Sequence, residues 1–178
     1  MNETNVYIGL SNPKSPDNVN SVKRAAGNYG VDAIFYTGTR YPRALKLNPG
    51  GVNMSRDVSL NIPLNGVDDL LEVKVECMQI VCVEFVEGAI ALPDYQHPDK
   101  AFYIFGPEDG NLTQAIIDQA DAVVYVPTRG CMNLAATVNV LLYDRLAKSN
   151  QTAIGEELIR QSRDKNNNLK VIKKCDFK

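Results

Sequence analysis

Histidine is nearly absent from this chain of 178 residues, where His97 stands alone. The cysteines Cys77, Cys82, Cys131 and Cys175 show no metal-ligand spacing. These shortages leave a zinc site or a Cys–His nucleophile pair without material, so no metal is expected and the thiols are read as reduced. Long apolar runs are missing as well. No segment approaches the roughly 18 apolar residues that cross a bilayer, and no membrane partner is expected. The opening MNETNVYIGL has neither a basic stretch nor an extended apolar one, as a secretory leader requires, and a cytoplasmic location is expected.

Hydrophobic residues make up 44% of the chain and charged residues 22%, which suits one compact domain with a full core. The net charge of -2 argues against a general polyanion binder, but the charge is unevenly placed. Residues 66–121 hold twelve acids against Lys74 and Lys100. Residues 37–56 hold Arg40, Arg43, Lys46 and Arg56 with no acid, and residues 160–178 hold seven bases against Asp164 and Asp176. The basic patches read equally as solvated surface or as an anion-attracting rim.

Apolar runs rich in β-branched residues (VYIGL, AIFY, QIVCVEF, FYIF, AVVYV) alternate with helix-like segments at Pro16–Tyr29, Leu112–Gln119 and Cys131–Lys148. That alternation predicts an α/β fold, a parallel sheet covered by helices on both faces. The predicted domain spans residues 1–148, and 149–178 form a C-terminal basic extension that begins with a short helix in GEELIRQSR. Thr37–Pro63, with its prolines and glycines, reads as a long loop.

Ligands of parallel sheets sit at the carboxyl ends of strands, and polar residues collect after three of these strands. After VYIGL, Pro16 or Asp17 opens a helix that carries Asn18, Asn20 and Arg24. After FYIF comes GPEDGNL, whose Gly106 and Gly110 permit close backbone approach. Glu108 and Asp109 there would repel a pyrophosphate, so this turn either borders an uncharged or cationic ligand or simply complements a helix dipole. After AVVYV comes VPTRGCMNLAATVNVLLYDRL, where Asn133 is placed to cap a helix and Asn133 and Asn139 are expected to be buried and to need partners.

In this order and spacing, the three stretches resemble the SpoU/TrmH family of the SPOUT superfamily, knotted RNA methyltransferases that use S-adenosylmethionine. Asn18 and Arg24 in NVNSVKRA match the first family motif, FGPEDGNL matches the second, and VPTRGCMNLAATVNVLLYDRL matches the third. The likeness runs over roughly residues 5–146. Asn20 stands where the family usually has glycine, Asn111 aligns with a second glycine, and Cys131 aligns with a serine.

The resemblance implies a C-terminal trefoil knot, a homodimer with an active site built from both subunits, and methyl transfer to a ribose 2′-hydroxyl of RNA. tRNA is favoured and rRNA is the alternative. It assigns Arg24, Asn18, Glu108 and Asn133 to catalysis, with Arg24 acting beside an RNA phosphate. It assigns the cofactor to Val83, Glu84, Gly106, Pro107, Glu108, Gly110, Val126, Pro127, Met132 and Asn133. Arg40, Arg43, Lys46 and Arg56 become candidates for RNA phosphate contact. Base N-methylation and a non-catalytic RNA-binding role are the other readings.

Overall fold

The structure is a computed structural model in which residues 5–47, 61–149 and 154–171 are described. In chain order its strands are β1 (Val6–Leu10), β2 (Ala33–Tyr36), β3 (Leu64–Gly66), β4 (Gln79–Val83), β5 (Ile90–Ala91), β6 (Ala101–Phe105) and β7 (Ala122–Tyr125). Among the described residues the α-helices are α1 (Pro16–Asn28), α2 (Arg40–Leu47), α3 (Gln114–Ile117), α4 (Leu134–Lys148) and α5 (Glu156–Ser162). The chain divides into two units, within 1–148 and within 149–178, and α5 lies in the second.

All seven strands form one parallel sheet in the order β3-β2-β1-β6-β4-β7-β5. Strand β6 pairs along its whole length with β1 on one side and β4 on the other, and every residue of AFYIF is buried. Such a strand must be apolar on both faces, because a parallel sheet has no wet side to offer it. Its side chains alternate between two cores. Ala101, Tyr103 and Phe105 join one with Val81 and Val83, whereas Phe102 and Ile104 join the other with Ile80 and Cys82.

Helices α1 and α4 cover the first face side by side, through Val19, Val22, Ala25 and Ala26 and through Leu134, Ala135, Val138, Leu141 and Leu142. The opposite face is closed by Leu70, Met78, Leu112 and the half-buried Ile116 and Ile117 of α3. There Phe102 meets Tyr7 and Phe35 edge-on at 6.3 and 6.1 Å, and Gly9 leaves it room, since a Cβ at Gly9 would lie 2.9 Å from the Phe102 ring. Burial pushes the Cys82 thiol up to about 12, which keeps it protonated and inert.

Several sequence expectations need correction. The segment read as one long loop contains α2, because Pro42 falls in the first turn, where a missing N–H costs nothing. Its residues 48–60 lie outside the described residues. The helix expected over Leu112–Gln119 is only Gln114–Ile117, and the one expected from Cys131 begins at Leu134. Asn133 and Asn139 are exposed rather than buried.

A buried polar cluster fixes the far end of α4. The Tyr103 hydroxyl lies 2.6 Å from His97 Nδ1, and His97 Nε2 lies 2.9 Å from Asp144 Oδ2. Arg145 donates to the Tyr103 hydroxyl and to the carbonyls of Pro98 and Asp99, while Lys148 pairs with Asp144 and donates to the carbonyls of Leu92 and Tyr95. The neutral His97 tautomer protonated at Nε2 satisfies the set: Tyr103 donates to Nδ1 and accepts from Arg145. Burial lowers the His97 pKa and favours that neutral form, although the Asp144 hydrogen bond opposes the shift. Tyr103→Phe would orphan His97 Nδ1 and one Arg145 donor, a loss of about 1–3 kcal/mol. Thermal unfolding followed by circular dichroism should show a melting temperature lower by roughly 3–10 °C.

Candidate active site

Because β1 and β6 are neighbours, the turns that leave their carboxyl ends meet, and Glu108 joins them. Its Oε2 accepts the Lys14 backbone N–H at 2.8 Å, and its Oε1 accepts the Ser15 backbone N–H at 3.0 Å and the Asn18 side-chain amide at 3.1 Å. Ser15 caps α1 by accepting from the Asn18 backbone N–H, and Pro16 opens the helix. Asn18 passes the connection on, since its Oδ1 accepts the Asn133 amide at 2.9 Å. Asn133 in turn caps α4, its Oδ1 accepting from the backbone N–H groups of Ala135 and Ala136 at 2.9 and 3.3 Å. One hydrogen-bonded chain thus links the polar stretches after β1, β6 and β7.

Burial alone would raise the Glu108 pKa. The donors from Ser15, Asn18, its own backbone and Lys14 outweigh that effect and hold it below the ordinary value. A carboxylate so engaged is a fixed anion rather than a proton acceptor.

Beside this chain lies a cleft of about 440 Å³ at the carboxyl ends of β4, β6 and β7. Its walls combine apolar Val83, Phe105, Val126, Met132 and Leu134 with Glu84, Glu108 and Asp109, and among the described residues no lysine or arginine lines it. Gly106 forms part of the floor. A Cβ there would lie 2.9 Å from Glu84 Oε2 and 3.3 Å from the Leu112 amide, the two groups that bond each other at 2.9 Å across it.

Of the residues assigned to the cofactor, Val83, Glu84, Gly106, Pro107, Glu108, Gly110, Val126 and Met132 line this cleft. Pro127 and Asn133 do not, and Asn133 is tied to it through Asn18. Cys131 and Asn111 are also in the lining. Asn139 turns back on its own helix, donating to the Ala135 carbonyl at 2.8 Å. Arg24 is exposed on α1, away from the buried Val22, Ala25 and Ala26, and outside the lining. Arg43 and Lys46 are exposed on α2, and Arg56 lies outside the described residues. Arg40 forms a two-pronged ion pair with Asp109 at 2.7 and 2.8 Å, a pairing across the fold that spacing could not reveal.

Residues 5–143 match the family model described as the SpoU rRNA Methylase family. The chain belongs to the SpoU rRNA methylase family. This is a family of S-adenosylmethionine-dependent RNA methyltransferases, as the sequence resemblance implied. Solved SpoU structures share the fold. The SpoU methyltransferase AviRb from Streptomyces viridochromogenes, solved in complex with the cofactor AdoMet, is 20% identical with a TM-score of 0.64 over 82% of this chain, which spans only 58% of AviRb. A structure that addresses 2-OH methylation of C/U34 on tRNA gives 19% identity and a TM-score of 0.70, covering 83% of this chain and 92% of that one. The TrmH/SpoU tRNA modifying enzyme of A. aeolicus gives 16% and 0.65, covering 89% and 85%. No curated protein matched the sequence.

The Glu108 clasp is testable through pH. Because the folded pKa is depressed, its stabilisation is present above the ordinary value of 4.5 and is lost as pH falls through the lower folded value. Glu108→Gln should cost about 1–2 kcal/mol at pH 7, since its amide group faces donors, and denaturant titrations should show the gap to wild type closing on acidification below pH 4.5.

Proposed function

We propose that the protein is a cytoplasmic S-adenosylmethionine-dependent RNA methyltransferase acting on a ribose 2′-hydroxyl, with tRNA the favoured substrate. The observation that supports this most directly is the cleft, whose carboxylates and apolar walls suit a ligand part adenosine and part sulfonium cation. Its volume lies in the range of about 300–1,000 Å³ typical of cofactor sites. The Gly106 floor, which a Cβ would fill, allows the flat base to approach backbone. Val83, Gly106, Val126 and Met132 would hold the adenosine, and Glu84 offers negative charge to the cation. The cofactor supplies an electrophilic methyl group.

The protein's own groups must then place the hydroxyl and manage its proton. A ribose hydroxyl is a very weak acid, so negative charge builds on its oxygen as the proton leaves. A guanidinium has a pKa above about 12 and cannot serve as the base by itself. Arg24 instead holds an RNA phosphate beside the hydroxyl and stabilises the developing charge. Its exposure and its absence from the cleft lining favour a homodimer in which Arg24 serves the partner's site. Asn133, fixed by Asn18, orients the reacting groups. The C-terminal trefoil knot of the family completes this reading. A tRNA substrate accords with the good coverage in both directions between this chain and the tRNA-related structures.

Purified protein incubated with labelled S-adenosylmethionine and total cellular RNA should yield a 2′-O-methylated nucleoside, identified by mass spectrometry after digestion. Arg24→Ala should lower the rate at least about 100-fold while cofactor affinity stays unchanged; label on a base nitrogen, or none in any RNA, would refute the ribose assignment. Gly106→Ala should weaken S-adenosylmethionine binding about tenfold, read by calorimetry.

A further inference from the structure

Asp109 borders the cleft and is half exposed, yet its carboxylate is taken by Arg40 at 2.7 and 2.8 Å and by Lys14 at 3.5 Å. Lys14 lies in the turn after β1 and Arg40 opens α2 after β2, so Asp109 sits between two converging cations. A guanidinium fork receives a carboxylate and a phosphate in the same two-pronged geometry. Glu108, the other carboxylate near Arg40, is not a competing partner, because its oxygens are filled by Lys14, Ser15 and Asn18.

From Arg40 the positive charge continues along α2. Arg43 and Lys46 follow at intervals of three residues, each step lagging by about 60° around the helix. Tyr41 turns inward against Tyr36, with ring centroids 5.1 Å apart. Arg43 and Lys46 are exposed and make no side-chain hydrogen bond or ion pair among the described residues. The strip therefore begins at the cleft mouth with the one cation that is already matched.

We infer that Asp109 occupies, in the free protein, the place between Arg40 and Lys14 that an RNA phosphate takes when substrate docks. This rests on the RNA methyltransferase reading and deepens it by naming where the backbone enters. Solvent-exposed ion pairs contribute little net stability, so exchange of one anion for another at Arg40 is nearly balanced. Docking along Arg43 and Lys46 then tips it, and the phosphate is delivered beside the cleft. Asp109 acts as a placeholder that RNA must displace and that discourages isolated small anions.

The test measures binding of total cellular RNA, tRNA and rRNA together, to wild type, Asp109→Asn, Asp109→Ser, Arg40→Ala and the Arg40→Ala/Asp109→Asn double variant. S-adenosylmethionine affinity and thermal unfolding serve as controls of fold. Both Asp109 variants should bind RNA about 2- to 5-fold more tightly than wild type, and Arg40→Ala about 5- to 10-fold more weakly. In the double variant most of the tightening should vanish. If the Asp109 variants instead weaken RNA binding as Arg40→Ala does, the pair is a brace and the inference is overturned. Unchanged binding in either single position overturns it equally. Both of those results leave the methyltransferase reading intact, whereas wild type that binds cofactor but no RNA defeats both.

Discussion

A single carboxylate holds the functional end of this molecule together. Glu108 reaches from the turn after β6 to the backbone of Lys14 and Ser15 and to the side chain of Asn18, 90 to 94 residues earlier in the chain. The sheet makes this possible, because β1 and β6 run parallel in register from Val6↔Ala101 to Leu10↔Phe105 and their exits are therefore level. Charge makes it effective. The amides before a helix start are unpaired and carry the positive end of the helix dipole, and a carboxylate placed among them gains from both. Asn18 then transmits the fixed position to Asn133, so the start of α4 is set by the same anion.

Helix α4 is consequently held at both ends by different chemistry. Its first turn is closed by Asn133 inside the polar chain at the cleft, while Asp144, Arg145 and Lys148 tie its last turns to His97, Tyr103 and the carbonyls of residues 92–99. Between these anchors the contacts are aliphatic, through Val138, Leu141 and Leu142. Aliphatic packing resists separation of two surfaces but permits small sliding, whereas hydrogen bonds of defined direction fix register along the axis. The cleft residues Leu134 and Thr137 lie on this helix and inherit that register. Rigid support of this kind is what a site needs when its groups must hold a ligand to within a fraction of an ångström.

The parts of this arrangement that are encoded locally could be read from the sequence. β6 and β4 announce themselves as continuous apolar runs, Pro16 marks the start of α1, and Asn133 has the chemistry of a cap wherever it falls. The family resemblance assigned Asn18, Glu108 and Asn133 to one site, and the structure joins them by hydrogen bonds. What escaped was either too short or too distant. β3 and β5, with three and two residues, are too short for the two-residue alternation of a strand to repeat. α2 is masked by the proline and glycines around it. The lone histidine shows no local pattern, because its partners Tyr103 and Asp144 lie 6 and 47 residues away, and only the fold brings them round it. The Arg40–Asp109 pair spans 69 residues and has no sequence signature at all.

The distribution of charge at the cleft fits the proposed function, in which a protein of net charge -2 would serve a polyanionic substrate. Among the described residues every ionic group lining the cleft is a carboxylate. At its edge the charges invert, with Lys14 and Arg40 at the mouth and Arg43 and Lys46 beyond. A cationic ligand and a nucleic acid therefore need not compete for one field, because each sign has its own zone and the boundary between them is the Asp109 ion pair. Over such distances exposed charges are screened within about 8–10 Å in physiological salt, so the net charge of the whole chain matters less than the few groups near each ligand. In the proposed mode of docking the acidic body would not repel RNA from the rim, because the rim cations would stand closer to the phosphates than the cleft carboxylates do. That ordering is what the Arg40–Asp109 pair supplies: it turns the arginine and the carboxylate toward each other at the boundary, the carboxylate on the cleft side and the helix of cations on the other.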